Sequence, residues 1–218
     1  MYKACIFDLD GTLTDTVESL TYSVNMTLKE LGFGEITPEQ CKAFVGSGAR
    51  RLLERALIAS GDTDAFRIEE AVEVYKRVFQ IYCTYKVEPY PGIRKLLCDL
   101  KDMGVKLSVL SNKPHERTID VVNTIFGEDV FCFVYGQQDG VPRKPDPTAL
   151  LQLLDEMGVE KKECLYLGDS DVDMKTGFAA GVDTVGVSWG FRSKEVLKEN
   201  QATYIVDRAE EIISIVRE

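Results

Sequence analysis

Short apolar runs of strand length alternate with helix-period segments along most of this 218-residue chain, and that rhythm restricts the fold more than any other feature. The runs lie at residues 5–7, 105–110, 131–135, 164–167, 184–187 and 204–206. Helical segments fill 93–103, 115–126 and 147–157, and a short one passes through Met174 and Phe178 to Gly181. Asp146 is placed to cap the third of these helices, and Asp207 with Glu210 to box the start of the last. Strands alternating with helices predict a parallel sheet covered on both faces. Right-handed crossovers then bring every strand's carboxyl end to one edge, where α/β folds bind ligands.

The rhythm breaks once. From Thr16 to about Tyr85 the pattern is helical throughout: Val17, Leu20, Val24, Leu28 and Leu31 recur at helical spacing, and Thr37-Pro38-Glu39-Gln40 forms a capping box. Leu52, Leu53, Ala56 and Leu57 mark a further helix, and Ile68, Val72, Tyr75, Phe79 and Tyr82 a longer one. Pro89-Tyr90-Pro91-Gly92 ends the block. The expected organisation is an α/β core of residues 1–15 and 87–218, with residues 16–86 inserted as a small all-helical domain.

Polar clusters follow four of the strands. The first run ends in Asp8, and Asp10 sits just past it, where Gly11 breaks the strand. Carboxylates this close repel unless a cation or a shared proton relieves them, so the pair fits a metal-assisted site with one nucleophile and one acid or base. Asp and Gly are also common turn residues, and a solvated turn has the same composition. Ser111 and Asn112, Lys144, and Asp169 with Asp173 each follow another strand. Convergence of four such clusters on one edge argues against solvated turns.

Hydrophobic residues make up 44% of the chain and charged ones 28%, an ordinary soluble balance. The net charge of −10 argues against nucleic acid or an anionic membrane as the main partner. An anionic substrate would need local positive charge or a metal. The six cysteines form no CxxC pair and several fall in apolar runs, a pattern that fits buried, reduced thiols in a cytoplasmic protein. Neither a secretory leader nor a membrane span is expected.

Asp8-Leu9-Asp10-Gly11-Thr12, Ser111-Asn112, Lys144-Pro145-Asp146-Pro147 and Gly168-Asp169-Ser170-Asp171-Val172-Asp173 together resemble, in order, the four motifs of the haloacid dehalogenase-like hydrolase superfamily. The resemblance covers nearly the whole chain and is strongest for the phosphoglycolate phosphatase-like branch. It implies a Rossmann-like core with a helical cap between the first two motifs. It implies Asp8 as nucleophile and Asp10 as acid and base. Ser111 and the Asn112 N–H would bind the phosphoryl group, and Lys144 would hold both phosphate and nucleophile. Mg2+ would be bound by Asp8, Asp169, Asp173 and the Asp10 carbonyl, with Asp173 acting directly or through a water. Phosphate-transferring members carry an aspartate at the Asp10 position and dehalogenases do not, so its presence disfavours dehalogenation.

The implied substrate is a small phosphorylated metabolite, with phosphoglycolate leading. Alternatives are a pyrophosphatase, a sugar-phosphate or nucleotide phosphatase, a β-phosphoglucomutase-like mutase, or a catalytically weak regulatory binder. The chain would act as a monomer or homodimer. In the cap, Gly46, Ser47, Gly48 and Arg50 open a helix with free N–H groups and a cation, an arrangement suited to an anionic leaving group. Arg50 and the adjacent Arg51 equally suit a solvated face. Lys113 reads as a substrate contact or an exposed loop lysine, His115 as a capping or surface residue, and Trp189 as packing or an edge loop.

Overall fold

The computed structural model describes residues 1–218. The chain opens with β1 (Ala4–Phe7) and the two-residue strand β2 (Thr14–Asp15). Four helices follow: α1 (Val17–Glu30), α2 (Pro38–Phe44), α3 (Ala49–Ala59) and α4 (Ile68–Tyr82). Next come β3 (Glu88–Pro89), α5 (Ile93–Asp102), β4 (Lys106–Pro114), α6 (His115–Phe126) and β5 (Phe133–Gln137). The last third holds α7 (Thr148–Met157), β6 (Cys164–Gly168), α8 (Asp171–Ala180), β7 (Asp183–Val187), α9 (Lys194–Glu199), β8 (Tyr204–Val206) and α10 (Glu211–Arg217).

Six strands pair in the order β5-β4-β1-β6-β7-β8, all parallel. β1 lies at the centre, with Phe7 in register with Val109 of β4 on one side and Leu167 of β6 on the other. Successive side chains leave β1 on opposite faces. Cys5 and Phe7 join an apolar cluster with Ile93, Leu96 and Leu100 of α5 and Ile212 and Val216 of α10. Ala4 and Ile6 join another with Leu150, Leu153 and Leu154 of α7 and Ala180 of α8. Each fully buried large apolar side chain contributes about 1.5–3 kcal/mol, so both faces are driven closed.

α1–α4 pack on one another through the apolar stripes the periodicity predicts, with Leu20, Val24 and Leu28 of α1 and Ala71, Tyr75 and Val78 of α4 all buried. The Thr37 box forms: its hydroxyl accepts the Gln40 N–H at 3.2 Å, and the Gln40 side chain accepts the Thr37 N–H at 2.9 Å. The two ends of this block meet, because β2 and β3 pair antiparallel with Thr14 opposite Pro89. No helix is long and apolar enough to cross a membrane.

Several local expectations need correction. α9 has too short a pattern to show in sequence. The helix after Asp146 starts at Thr148, one residue late; the Asp146 carboxylate still accepts the Thr148 N–H at 2.9 Å. No Asp207–Glu210 box forms, since the Asp207 carboxylate is taken by Ser188 and Lys194. Of the six unpaired thiols, Cys98 and Cys132 are exposed rather than buried. β4 runs through Pro114 rather than stopping at Leu110. Between its pairings Leu110–Tyr135 and Pro114–Gln137, β4 advances four residues while β5 advances two. This bulge sets Ser111, Asn112 and Lys113 of β4 opposite the single residue Gly136 of β5.

Candidate active site

β1 ends at Phe7, and the Asp8 N–H still pairs with the Leu167 carbonyl at 2.8 Å, which fixes Asp8 at the lip of the sheet. The next turn folds back, with the N–H groups of Thr12, Leu13 and Thr14 all meeting the Leu9 carbonyl. Gly11 has a φ of +90°, and a Cβ there would collide with the Asp169 carboxylate, so glycine is required on both counts. Asp8 and Asp10 consequently face one cleft, together with Ser111, Asn112, Lys144, Asp169 and Asp173.

Lys144 is the electrostatic centre. Its buried ammonium lies within hydrogen-bond distance of Asp8 Oδ1 at 2.7 Å, Asp173 Oδ1 at 2.7 Å, the Leu110 carbonyl at 3.0 Å and the Tyr166 hydroxyl at 2.9 Å. Burial alone would lower its pKa, but Asp173 and Asp8 reverse that and hold it well above the usual lysine range. Asp8 Oδ2 accepts no side-chain hydrogen bond; Lys144 engages Oδ1 alone. Burial pushes the Asp8 carboxyl up to about 7; Lys144 opposes the rise and Asp173 adds to it.

Asp169 is raised well above the carboxylate range by burial, then by Asp173 and Asp8. Its oxygens accept the Phe191 N–H at 2.6 Å and the Thr12 hydroxyl at 3.4 Å, and neither donor is a cation. Asp8, Asp169 and Asp173 present carboxylate oxygens within 4.8 Å of one another. Three buried carboxylates against one ammonium leave a charge deficit that a divalent cation relieves, and an all-oxygen donor set suits a hard ion. Both Asp173 oxygens are already engaged, Oδ1 by Lys144 and Tyr166 and Oδ2 by the Ser170 N–H and hydroxyl.

The bulge in β4 brings three consecutive residues to the cleft. Ser111 Oγ accepts the Lys113 N–H at 3.3 Å, and its own hydroxyl proton has no protein acceptor. The Asn112 amide ties two loops together: Oδ1 accepts the Lys144 N–H at 3.0 Å, while Nδ2 donates to the Lys144 and Gly46 carbonyls at 3.0 Å each. Lys113 is buried, against the reading of it as an exposed lysine, and its ammonium meets Asp10 Oδ1 at 2.8 Å and Oδ2 at 2.9 Å. A regular strand would have turned Asn112 away from its neighbours, so nothing in the residue pattern signals three facing together. Tyr166 was also missed. Its signal was a lone tyrosine inside a buried strand, whose hydroxyl needs a partner.

On the helical side, Gly46 and Gly48 line the cleft, whereas Ser47 and Arg50 do not. Arg50 turns outward to Glu69, at 2.5 and 3.1 Å, and to Glu54. The cations at this loop come from the α/β core: Arg192, from the segment after β7, donates to the Lys42 and Val45 carbonyls at 2.7 and 2.6 Å, and the Arg143 guanidinium lies against Gly48, where a Cβ would meet its Nη1 at 3.3 Å. Trp189 of the same segment donates to the Thr12 carbonyl at 3.0 Å, closing the turn after Asp8 from outside. His115 Nδ1 accepts the Gly136 N–H at 3.2 Å, a structural bond at the foot of α6.

Comparison with known proteins places the chain in a family. Residues 5–187 match the family model described as haloacid dehalogenase-like hydrolase. The phosphoglycolate phosphatase of Aquifex aeolicus is 35% identical over 87% of this chain and 86% of its own length. That of Rhodospirillum rubrum is 36% identical over 90% of this chain and 83% of its own. A crystal structure of a Lactobacillus delbrueckii subsp. bulgaricus protein superposes with a TM-score of 0.93 at 34% identity, covering 99% of this chain and 98% of that one. Motifs, sheet order and kinship agree, and the chain belongs to the haloacid dehalogenase-like hydrolase superfamily, in its phosphoglycolate phosphatase-like branch.

Proposed function

We propose that this hydrolase cleaves a small phosphomonoester through an aspartyl-phosphate on Asp8, with phosphoglycolate as the leading substrate. The observation that carries the reading is the state of Asp8: Lys144 pins one oxygen at 2.7 Å, and the other is left without a side-chain partner in the cleft. A carboxylate so held attacks phosphorus with the free oxygen. The bond to the leaving oxygen breaks, and Asp10 delivers a proton to that oxygen. In the second half-reaction a water oxygen attacks the same phosphorus, its proton passes to Asp10, and the phosphorus–Asp8 bond breaks to release inorganic phosphate. Ser111 donates its uncommitted hydroxyl to a phosphoryl oxygen, and the Asn112 N–H assists. Lys144 offsets charge as the transition state forms.

Asp8, Asp169 and the Asp10 carbonyl are the groups we assign to a metal ion, with Mg2+ the best match to hard oxygen donors. Because both its oxygens are engaged, we assign Asp173 to a metal-bound water rather than to the metal. When bound, the ion supplies positive charge beside the phosphoryl group. Residues 16–86 act as a cap whose closure keeps bulk water out. The phosphoglycolate phosphatase names of the relatives support the choice of substrate.

A phosphate-release assay with Mg2+ across a panel of phosphomonoesters tests the reading. Phosphoglycolate is expected to give the highest kcat/KM. Asp8→Asn is expected to lower turnover by on the order of 10⁴-fold or more with the fold intact. Undiminished turnover in that variant would remove the covalent route.

A further inference from the structure

The cleft has two walls of different chemistry. The helical block contributes Leu20, Val45, Ala49, Leu52, Tyr75 and Phe79, with no cation among them. Its nearby arginines are all engaged elsewhere: Arg50 with Glu69, Arg51 with Glu54, and Arg55 with the Phe44 carbonyl. The cations that line the cleft are Lys113, Lys144 and Arg192, all from the α/β core; Arg143, also of the core, is exposed and reaches only its rim, beside Gly48. Lys144 serves Asp8 and Asp173, and Arg192 serves two backbone carbonyls.

Lys113 differs from both. Its ammonium, 2% exposed as a side chain, takes both oxygens of the proton-carrying Asp10 and lies 4.9 Å from the centroid of the Phe79 ring. Its backbone is closely confined, since a Cβ on Gly136 would lie 2.7 Å from the Lys113 carbonyl. An Asp10 with both oxygens turned to one ammonium is not aimed at a leaving oxygen. A buried ammonium gives up a carboxylate readily only in exchange for another anion, because an unpaired charge in such a site is costly.

We infer that Lys113 is the carboxylate subsite of the cleft: a carboxylate on the substrate's leaving group replaces Asp10 as its partner, and Asp10, released, turns to the bridging oxygen. The inference rests on the phosphomonoesterase reading above. It makes leaving-group selection a property of the core, with the helical wall limiting size and keeping the exchange dry. A substrate without the carboxylate leaves Asp10 held by Lys113 and is turned over slowly. No covalent bond is made or broken in the exchange; the proton still travels from Asp10 to the leaving oxygen.

The test compares phosphoglycolate with ethyl phosphate, which carries a methyl group in place of the carboxylate, in wild-type protein and in Lys113→Met. Each ester is compared with itself across the two proteins, so the difference in leaving-group reactivity cancels. Loss of the ammonium is expected to lower kcat/KM for phosphoglycolate on the order of 100-fold and to raise it for ethyl phosphate by up to about tenfold, because Asp10 is no longer held. Lys113→Gln, which keeps a donor toward Asp10, is expected to show the same split, and Lys113→Arg to recover part of the loss. Equal losses on both esters in Met and Gln variants, or no loss on either, would overturn the carboxylate subsite while leaving the phosphatase reading standing. A wild-type protein inert toward every phosphomonoester would overturn that reading instead.

Discussion

The two walls of the cleft solve opposite problems. At the sheet edge, Asp8, Asp169, Asp173 and Lys144 are buried charges, and each is fixed by partners within 3.4 Å. Across from them, Leu52, Tyr75 and Phe79 offer apolar surface and no charge, while the arginines of that block pair outside the cleft. Buried charge is stable only when paired, so each group at the edge is held in place by its partners. An apolar wall sets size and excludes water but cannot recognise an anion. On this contrast, our proposal assigns chemistry and anion recognition to the core, and enclosure to the helices.

The strongest test of that contrast is Lys144→Met. It leaves Asp8 and Asp173 buried without their shared cation, at a cost of about 3–5 kcal/mol in stability near neutral pH. Turnover is expected to fall on the order of 10³-fold. Denaturant unfolding and phosphate release read the two effects, and a stability change below about 1 kcal/mol would refute the central place given to Lys144.

Metal-free protein gives a second, smaller test. The folded Asp8 carboxyl titrates at about 7 against an ordinary 3.8, so its contribution to stability is intact at low pH and is lost as pH rises through that window. Asp169 is shifted in the same direction. Under chelation, the melting temperature of Asp8→Asn relative to wild type is expected to rise between pH 5 and pH 8. Added Mg2+ is expected to stabilise the wild type more at pH 8 than at pH 5, because protons compete for the same oxygens. A flat difference across that range would contradict the charge deficit.

Arg50→Gln should do least. Its exposed pairing with Glu69 and Glu54 lies outside the cleft, so kcat/KM is expected to change by less than about twofold. A tenfold loss confined to KM would return anion recognition to the helical wall and break the comparison.

The parallel sheet, the four motif clusters and the helical block were legible in the sequence because each depends on local pattern. β1 had to be a central strand once its run was apolar on both faces, and Gly11 and Gly168 marked where the chain turns away from the sheet. Lys113 and Arg50 were harder, because side-chain direction there depends on distant segments. Lys113 faces Asp10 through a register shift between β4 and β5, 103 residues from its partner. Arg50 sits on the expected helix start, but Glu69 of α4 draws it outward.

By itself the sequence determined which groups are present at the sheet edge: periodicity specifies strands and helices, and connection handedness gathers the strand ends. Only the tertiary structure decided which cation answers which carboxylate. That choice depends on burial, since an ammonium sealed among carboxylates must pair with them, while a guanidinium left in water is free to pair elsewhere. Lys144 and Lys113 are sealed in at the core edge, and Arg50 stays outside.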